Sequence, residues 1–249
     1  MKFLKEKPAL VIDELTKKTL VIADLHLGLE YEIYKKGISI PPRAGRQKKR
    51  ILKLIEDTEV DRLVLLGDVK HNVPRTSVSE KENLPGFFEE LSRHVDIKIS
   101  KGNHDGNIED LVGNADVEIS PTSGFREGKF YFNHGQSWPD EDIKNSETLI
   151  RGHSHPSIQF KDSLGFSSTV PCWVKGPVNR DAVKKKFGKG KLENIIITPT
   201  FNELITGMPM NKDREKRLLG PMLKNGMMEI EDSGIYLLDG TFLGKLEDL

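Results

Sequence analysis

Thr19-Leu20-Val21-Ile22-Ala23-Asp24-Leu25-His26 decides how the rest of the chain is read. Thr19 to Ala23 is a short apolar, β-branched run that reads as a strand, and its C-terminal end delivers Asp24 and then His26. The same event recurs along the chain. Leu63 to Leu66 runs into Gly67-Asp68-Val69-Lys70-His71, and Ile97 to Ser100 into Gly102-Asn103-His104-Asp105. Phe130 to Phe132 leads to Asn133-His134-Gly135, and Thr148 to Ile150 to Gly152-His153-Ser154-His155. Rigid strands of α/β proteins aim the loops at their carboxyl ends into one crevice, and a Gly beside the polar residue permits the tight turn required. These five clusters are therefore expected to converge.

Six of the seven histidines lie in or beside the clusters, in the company of Asp and Asn. Imidazole nitrogen with carboxylate oxygen suits divalent ions such as Mn²⁺, Fe²⁺ or Zn²⁺. A lone Asp-x-His or His-x-His arises often by chance. Five ligand-bearing clusters, each behind a strand, are the signature of a hydrolase that uses two metals.

The intervening sequence fits an α/β chain. Ala9 to Ile12 reads as a strand joined to Thr19–Ala23 through a polar turn at Asp13–Lys18. Arg43 to Thr58 reads as a helix behind Pro41-Pro42, with Ile51, Leu54 and Ile55 on its apolar face. Leu84 to Leu91 is read as helical, Thr169 to Lys175 and Asn194 to Thr198 as strands. Tyr236 to Leu243 reads as a hairpin over Asp239-Gly240, a pair suited to a two-residue type I′ turn. Gly207 to Asp232, rich in Met, Lys, Gly and Pro, reads as an irregular surface excursion. With no repeat or linker, residues 1–249 are read as one domain closed by a hairpin over 234–245.

Composition bounds the function. The 249 residues hold 38 Lys+Arg and 38 Asp+Glu, so no global positive field draws the molecule to nucleic acid, and any such contact is a local patch. Cys172 has no partner for a disulfide and lies in an apolar run, which fits a packed thiol in a reducing compartment. Met1 to Lys7 lacks an apolar signal core, and no stretch reaches the roughly 20 apolar residues of a membrane helix. A cytoplasmic protein without membrane contact is expected, of unspecified oligomeric state.

The ordered motifs Asp24-Leu25-His26, Gly67-Asp68, Gly102-Asn103-His104-Asp105, His134 and Gly152-His153-Ser154-His155 resemble the full ligand set of the calcineurin-like metallophosphoesterases. The resemblance implies a four-layer β-sandwich flanked by helices on both faces. It implies one metal on Asp24, His26, Asp68 and His155, and a second on Asp68, Asn103, His134 and His153, with Asp68 bridging and His104 facing the substrate. Asp24-Leu25-His26-Leu27-Gly28, Gly37-Ile38-Ser39-Ile40-Pro41-Pro42, His155-Pro156, Pro171-Cys172-Trp173 and Thr198-Pro199-Thr200-Phe201-Asn202 are similar to the branch related to SbcD-type nucleases. That branch includes archaeal members and bacterial ones linked to DNA ligases and Lhr-type helicases, so DNA repair and a helicase partner rest on resemblance alone.

The chemistry of such a set is phosphoester hydrolysis. Two metals about 3.5–4 Å apart share a hydroxide whose pKa falls toward roughly 7, ready to attack the phosphorus. Either oxygen of Asp68 suits one ion, neutral Asn103 leaves its metal a stronger Lewis acid, and His104 is placed to protonate the leaving alkoxide. Mn²⁺ is the expected ion, with Fe²⁺, Zn²⁺ and Ni²⁺ as alternatives.

Several residues keep two readings. Asp105 either orients His104 or gives way to a helix cap at Asp105 or Asn107. His71 matches the Gly-Asp-x-x-His of SbcD-like nucleases, where that His lies near substrate, or is an exposed loop residue; His94 matches nothing. The basic stretches 43–53 and 184–191 are a solvated helix face and a solvated loop, or they track a phosphate backbone. Trp138 and Trp173 either pack in the core or stack on a base. The leading function is a dinuclear phosphodiesterase acting on DNA, RNA or nucleotides. Its alternatives are a phosphomonoesterase or cyclic-nucleotide phosphodiesterase, and a catalytically silent scaffold.

Overall fold

The computed structural model describes residues 1–213 and 218–249. Its first sheet joins β1 (Lys2–Phe3), β2 (Leu10–Ile12), β3 (Thr19–Ile22), β4 (Arg62–Leu65), β5 (Asp96–Ser100) and β6 (Val117–Ser120) in that order. From β3 onward the strands are parallel. The second sheet is built from β7 (Phe125–Glu127), β8 (Phe130–Asn133), β9 (Thr148–Arg151), β10 (Pro156–Lys161), β11 (Ser167–Pro177), β12 (Asn194–Ile197) and β13 (Met208–Pro209). Their order is β13-β10-β11-β12-β9-β8-β7, and a hairpin of β14 (Gly234–Leu237) and β15 (Phe242–Lys245) joins it along β11. The helices are α1 (Leu29–Lys35), α2 (Ala44–Thr58), α3 (Val78–Leu91), α4 (Arg180–Phe187) and α5 (Gly220–Lys224).

The side-chain alternation of the strands creates four layers. On β3 and β4, Leu20, Ile22, Leu63 and Leu65 pack with Ile51, Leu54 and Ile55 of α2 and Leu84, Phe87 and Leu91 of α3. Val21, Ala23, Val64 and Leu66 face the other way, onto Phe132, Ile150, Trp173 and Ile196 of the second sheet. There the neighbours Leu149, Ile195 and Ile197 turn outward onto Val183 and Phe187 of α4 and Met222 and Leu223 of α5. Strands covered on both faces must be apolar at successive positions, and this explains why Leu20-Val21-Ile22 and Ile195-Ile196-Ile197 are unbroken runs. The helix–sheet–sheet–helix sandwich is the expected one.

Four local expectations are corrected. Helix α3 starts at Val78 rather than Leu84, because Ser77 and Glu80 form a reciprocal capping box at its N-terminus. The first half of the 184–191 stretch read as a lysine loop, through Phe187, belongs to α4, capped by Asn179 accepting from the Ala182 amide at 2.9 Å. The hairpin turn is not type I′. Gly240 alone of the Asp-Gly pair has positive φ, 96°, and the Leu237 amide donates to Thr241 across three loop residues. Lastly, residues 207–232 are no mere surface excursion: β13 pairs with β10, and Met222, Leu223, Met227 and Met228 are buried on the second sheet. Residues 214–217 of that stretch lie outside the described residues.

The topology also sorts the basic stretches and the tryptophans. α4 and Lys189–Lys191 precede β12, whereas the ligand loops follow β9 and its parallel neighbours, so this cationic cluster sits at the opposite end of the sheet. On α2, Arg46 and Arg50 are paired with Glu203 and Lys53 with Asp57. Trp173 is buried and stacked on Phe3 at 4.3 Å, and Trp138 packs edge-on against Phe187 beneath the Lys186 ammonium. Among the described residues no helix is long and apolar enough to cross a membrane.

Candidate metal centre

All five clusters open from the carboxyl ends of β3, β4, β5, β8 and β9, and they meet where the edges of the two sheets come together. The loops are stitched to one another by backbone bonds that extend the parallel ladder. Asp24 N–H donates to the Gly67 carbonyl at 3.1 Å, His26 N–H to Asp68 at 2.8 Å and Leu27 N–H to Val69 at 2.8 Å. Asp24, His26, Asp68, His153 and His155 all have left-handed backbones, with φ of 59°, 43°, 48°, 69° and 41°. Such conformations are uncommon outside glycine, and their concentration here is the mark of a site imposed by the surrounding fold. Gly102 is required by close approach: a Cβ there would collide with the Asp68 carboxylate and amide. Gly152 is similar, since its Cβ would meet Asp24 Oδ2 at 2.8 Å.

Three groups of ligand atoms result, each gathered within 4.8 Å: His26–His71–His104, and the two that carry carboxylates, Asp24–His26–His155 and Asp68–His134–His153. Asp68 connects the last two. Its Oδ1 accepts from the His104 amide at 2.9 Å, while Oδ2 lies 3.3 Å from His134 Nε2 and 3.6 Å from His26 Nε2. One oxygen, rather than one for each group, thus faces both sides. Asp24 accepts from the His153 amide at 3.2 Å and stands 3.0 Å from His155 Nε2. Asn103 is exposed on the rim, its side chain free of hydrogen bonds among the described residues. His104, half-buried, directs Nδ1 to the His71 carbonyl and Nε2 toward Asp68 Oδ2 at 4.0 Å. His71 is turned inward. Its Nδ1 lies 3.1 Å from His26 Nδ1 and its Nε2 2.7 Å from Glu32 Oε2. His94 stands apart, 3.7 Å from Glu90 on α3.

The donor set fits cations, as His134 shows most directly. Its Nδ1 is 2.6 Å from the Leu66 carbonyl, so a neutral ring would keep its proton there and turn a bare Nε2 toward Asp68. Two acceptors then face each other, an arrangement that needs a proton or a cation between them. Nε2 of His26, His134 and His155 are all buried without a well-directed hydrogen bond. Burial opposes protonation of His134, yet Asp68 and Asp24 push its pKa up to about 9. Burial holds His26 down at about 3 despite the same carboxylates, and burial with His134 and Arg151 holds His153 at about 4. For Asp24 and Asp68 burial works against ionisation, but His155 and His134 respectively outweigh it and keep both below the ordinary carboxylate range. The carboxylates and the lone pairs of His26 and His153 are thus ready for a divalent ion, while Asp68 and Asp24 favour protons on His134 and His155 that metal binding would displace.

Side chains that offer no metal ligand hold this geometry. Fully buried Asp105 neither orients His104 nor caps a helix. Its Oδ1 accepts from the Val69 and Lys70 amides at 2.8 and 3.2 Å and its Oδ2 from Gly102 at 2.9 Å, clamping the Asp68 and Asn103 loops together. Glu80 receives the amides of His71 at 3.0 Å and Asn72 at 2.8 Å besides its capping bonds to Ser77. Beneath Asp24-Leu25-His26, Thr200 Oγ1 donates to the Asp24 carbonyl, while Asn202 and Gln47 donate to that of Leu25. The Ser77-x-x-Glu80 spacing was a readable signal. Of the long-range donors, Thr200 and Asn202 lie in the Thr198–Asn202 stretch that resembles the nuclease branch, whereas Gln47 carries no signal.

A fold of two sheets between helices, with such clusters at their converging edges, defines a metal-dependent phosphoesterase. The chain belongs to the calcineurin-like phosphoesterase family, whose model matches residues 17–171, and it is accordingly a hydrolase of phosphoric esters. The structure of nuclease MPE from Pseudomonas putida superposes with a TM-score of 0.53 at 15% identity, covering 93% of this chain and 97% of that one, and shares the fold. The phosphoesterase YfcE from E. coli gives 0.41 at 14% identity, with 91% and 97% covered. No curated protein matches the sequence.

Proposed function

We propose that the protein is a dinuclear metal-dependent phosphodiesterase acting on nucleic acid or nucleotides, with Mn²⁺ its preferred ion. The observation that carries this reading is the pair of carboxylate–imidazole groups linked through a single oxygen, Asp68 Oδ2, which faces an imidazole of each. Asp24, His26 and His155 with Asp68 hold one ion, and Asp68, His134 and His153 with Asn103 hold the other. The ions supply Lewis acidity toward the phosphoryl oxygens and acidify a water for attack.

The chain's own residues do the rest. The tautomer set by the Leu66 carbonyl presents His134 Nε2 to its ion without reorganisation. His104 is held at Nδ1 by the His71 carbonyl, so in its imidazolium form Nε2–H is left to protonate the departing alkoxide. A leaving group that needs such a proton is an unactivated alcohol, such as the sugar hydroxyl of a nucleotide diester. That the fold neighbour from Pseudomonas putida is a nuclease supports the same substrate class. We read residues 1–249 as one metallophosphoesterase domain, since the hairpin β14–β15 extends the second sheet instead of forming a core of its own.

The test is a substrate panel assayed with each metal in turn. Bis(p-nitrophenyl) phosphate and single-stranded DNA should be cleaved faster than p-nitrophenyl phosphate with Mn²⁺, and Asp68→Ala should abolish both activities. Preference for the monoester, or wild-type turnover by Asp68→Ala, would overturn the proposal.

A further inference from the structure

Glu32 lies on α1, outside every motif that builds the centre, yet it is joined to the centre by a chain of two short contacts. Its Oε1 is paired with the Lys36 ammonium at 2.6 Å, leaving Oε2 for His71 Nε2 at 2.7 Å. The other ring nitrogen of His71 lies 3.1 Å from His26 Nδ1, and His26 directs its Nε2 at Asp68 Oδ2, 3.6 Å away. Nothing in this chain is loose. The His71 amide is held by the Leu27 carbonyl at 2.9 Å and by Glu80, and its ring is stacked on that of His104 with centroids 5.3 Å apart.

With both imidazoles neutral, the proton positions along this relay follow from what each group can do. A neutral imidazole has one N–H and one lone pair, and an ionised carboxylate only accepts. Glu32, half-exposed, is ionised at neutral pH, so the proton of His71 sits on Nε2 and points at Glu32. His71 Nδ1 is then bare, and it accepts from His26 Nδ1–H. That leaves His26 Nε2 bare and aimed into the Asp24–His26–His155 group. Moving the His71 proton to Nδ1 would set a bare Nε2 against Glu32 and two N–H groups against each other, and moving the His26 proton to Nε2 would leave two bare nitrogens 3.1 Å apart.

We propose that Glu32 and His71 are positioning residues that lock His26 in its Nδ1–H tautomer and orient its Nε2 as a ligand for the cation of that group. The inference rests on the reading of His26 as a metal ligand. It gives His71 a role distinct from the substrate contact expected by resemblance, because both ring nitrogens are already engaged. It also separates the two groups by design. His134 takes its tautomer from a backbone carbonyl that no side-chain change removes, whereas His26 takes its own from two replaceable side chains.

Two measurements test this without turnover. In ¹⁵N-histidine-labelled, metal-free protein, long-range ¹H–¹⁵N spectra should show His26 protonated at Nδ1, and Glu32→Ala should shift it to a mixture of tautomers. Titration with Mn²⁺ alone should show one binding event weakened about 10–100-fold by Glu32→Ala or His71→Ala, as for other outer-shell partners of metal ligands, with the second event unchanged. His71→Asn, whose Oδ1 can replace the lone pair of Nδ1, should recover most of the loss. A wild-type His26 carrying its proton on Nε2, or Mn²⁺ bound as tightly by both alanine variants as by wild type, would overturn the inference. If His71→Ala instead alters only the KM for a diester, His71 is a substrate contact and the relay is wrong. Failure of the protein on every phosphodiester would sink the proposed function and leave these spectra and titrations untouched.

Discussion

Asp105 offers the sharpest test of how the centre is held, because its carboxylate touches no proposed ligand side chain and joins two loops that carry them. Three amides donate to it, Val69 and Lys70 to Oδ1 and Gly102 to Oδ2. Burial and the nearby Asp68 charge push its pKa up, and the amide donors together with His134 work against them. In Asp105→Asn the amide oxygen can keep the Val69 and Lys70 bonds while Nδ2 confronts the Gly102 N–H. One hydrogen bond to a charged acceptor is lost, net about 1.5–3 kcal/mol, and relief of the buried charge offsets part of it. A loss of about 1–3 kcal/mol is expected. Asp105→Ala strands three buried amides and leaves a small void, and about 3–5 kcal/mol is expected, the range of the most damaging single substitutions.

Urea unfolding of the metal-free proteins, with m unchanged, reads these values directly. With m about 3 kcal/mol/M, Asp105→Asn should lower the midpoint by roughly 0.3–1 M and Asp105→Ala by more than about 1 M. The ranking matters more than the values. Equal losses in the two variants would mean that the geometry of the acceptor is irrelevant, and an alanine variant within about 0.5 kcal/mol of wild type would mean that the clamp does not exist.

Gly102→Ala should leave the strands intact but displace the Asp68 carboxylate that its Cβ would strike, weakening Mn²⁺ binding at least tenfold in a calorimetric titration. Glu80→Ala removes the acceptor of the Ser77, His71 and Asn72 amides at once, and a loss of about 3–4 kcal/mol in urea unfolding is expected, with Glu80→Gln intermediate. Burial pushes the Cys172 thiol up to about 12, so at pH 8 native protein should react with Ellman's reagent about three orders of magnitude more slowly than unfolded protein. Comparable rates in the two states would show that β11 opens freely.

What was legible in the sequence is what local rules encode. Strand ends at Ile22, Leu65, Ser100, Asn133 and Arg151 lie within a residue or so of where the apolar runs stop, because doubly covered strands have no freedom to be polar. The side chains that follow announced their chemistry by type. Helix α4 was hidden because its lysines dominate the composition, although Asn179 carried a capping signal. The Asp239-Gly240 turn misled because the same pair serves both a two-residue turn and a three-residue loop whose last residue is left-handed. The side chains that grip Asp24 and Leu25 come from Gln47, Thr200 and Asn202, the last of them 177 residues from its acceptor. Such contacts follow from the sandwich and cannot be read before it is built.

The left-handed backbones carry the same argument into energetics. Asp24, His26, Asp68, His153 and His155 each give up about 1 kcal/mol or more relative to a relaxed conformation. No isolated loop would adopt them. They persist because Asp24, His26 and Leu27 donate to Gly67, Asp68 and Val69 while Thr200, Asn202 and Gln47 hold the carbonyls of Asp24 and Leu25 from below. The strain is offset by hydrogen bonds made in the folded chain itself, so the ligand geometry exists before any ion arrives. An ion entering such a centre has its water to shed and the protons of His134 and His155 to displace, but no loops to order, and its binding energy is left for the chemistry rather than for folding the site.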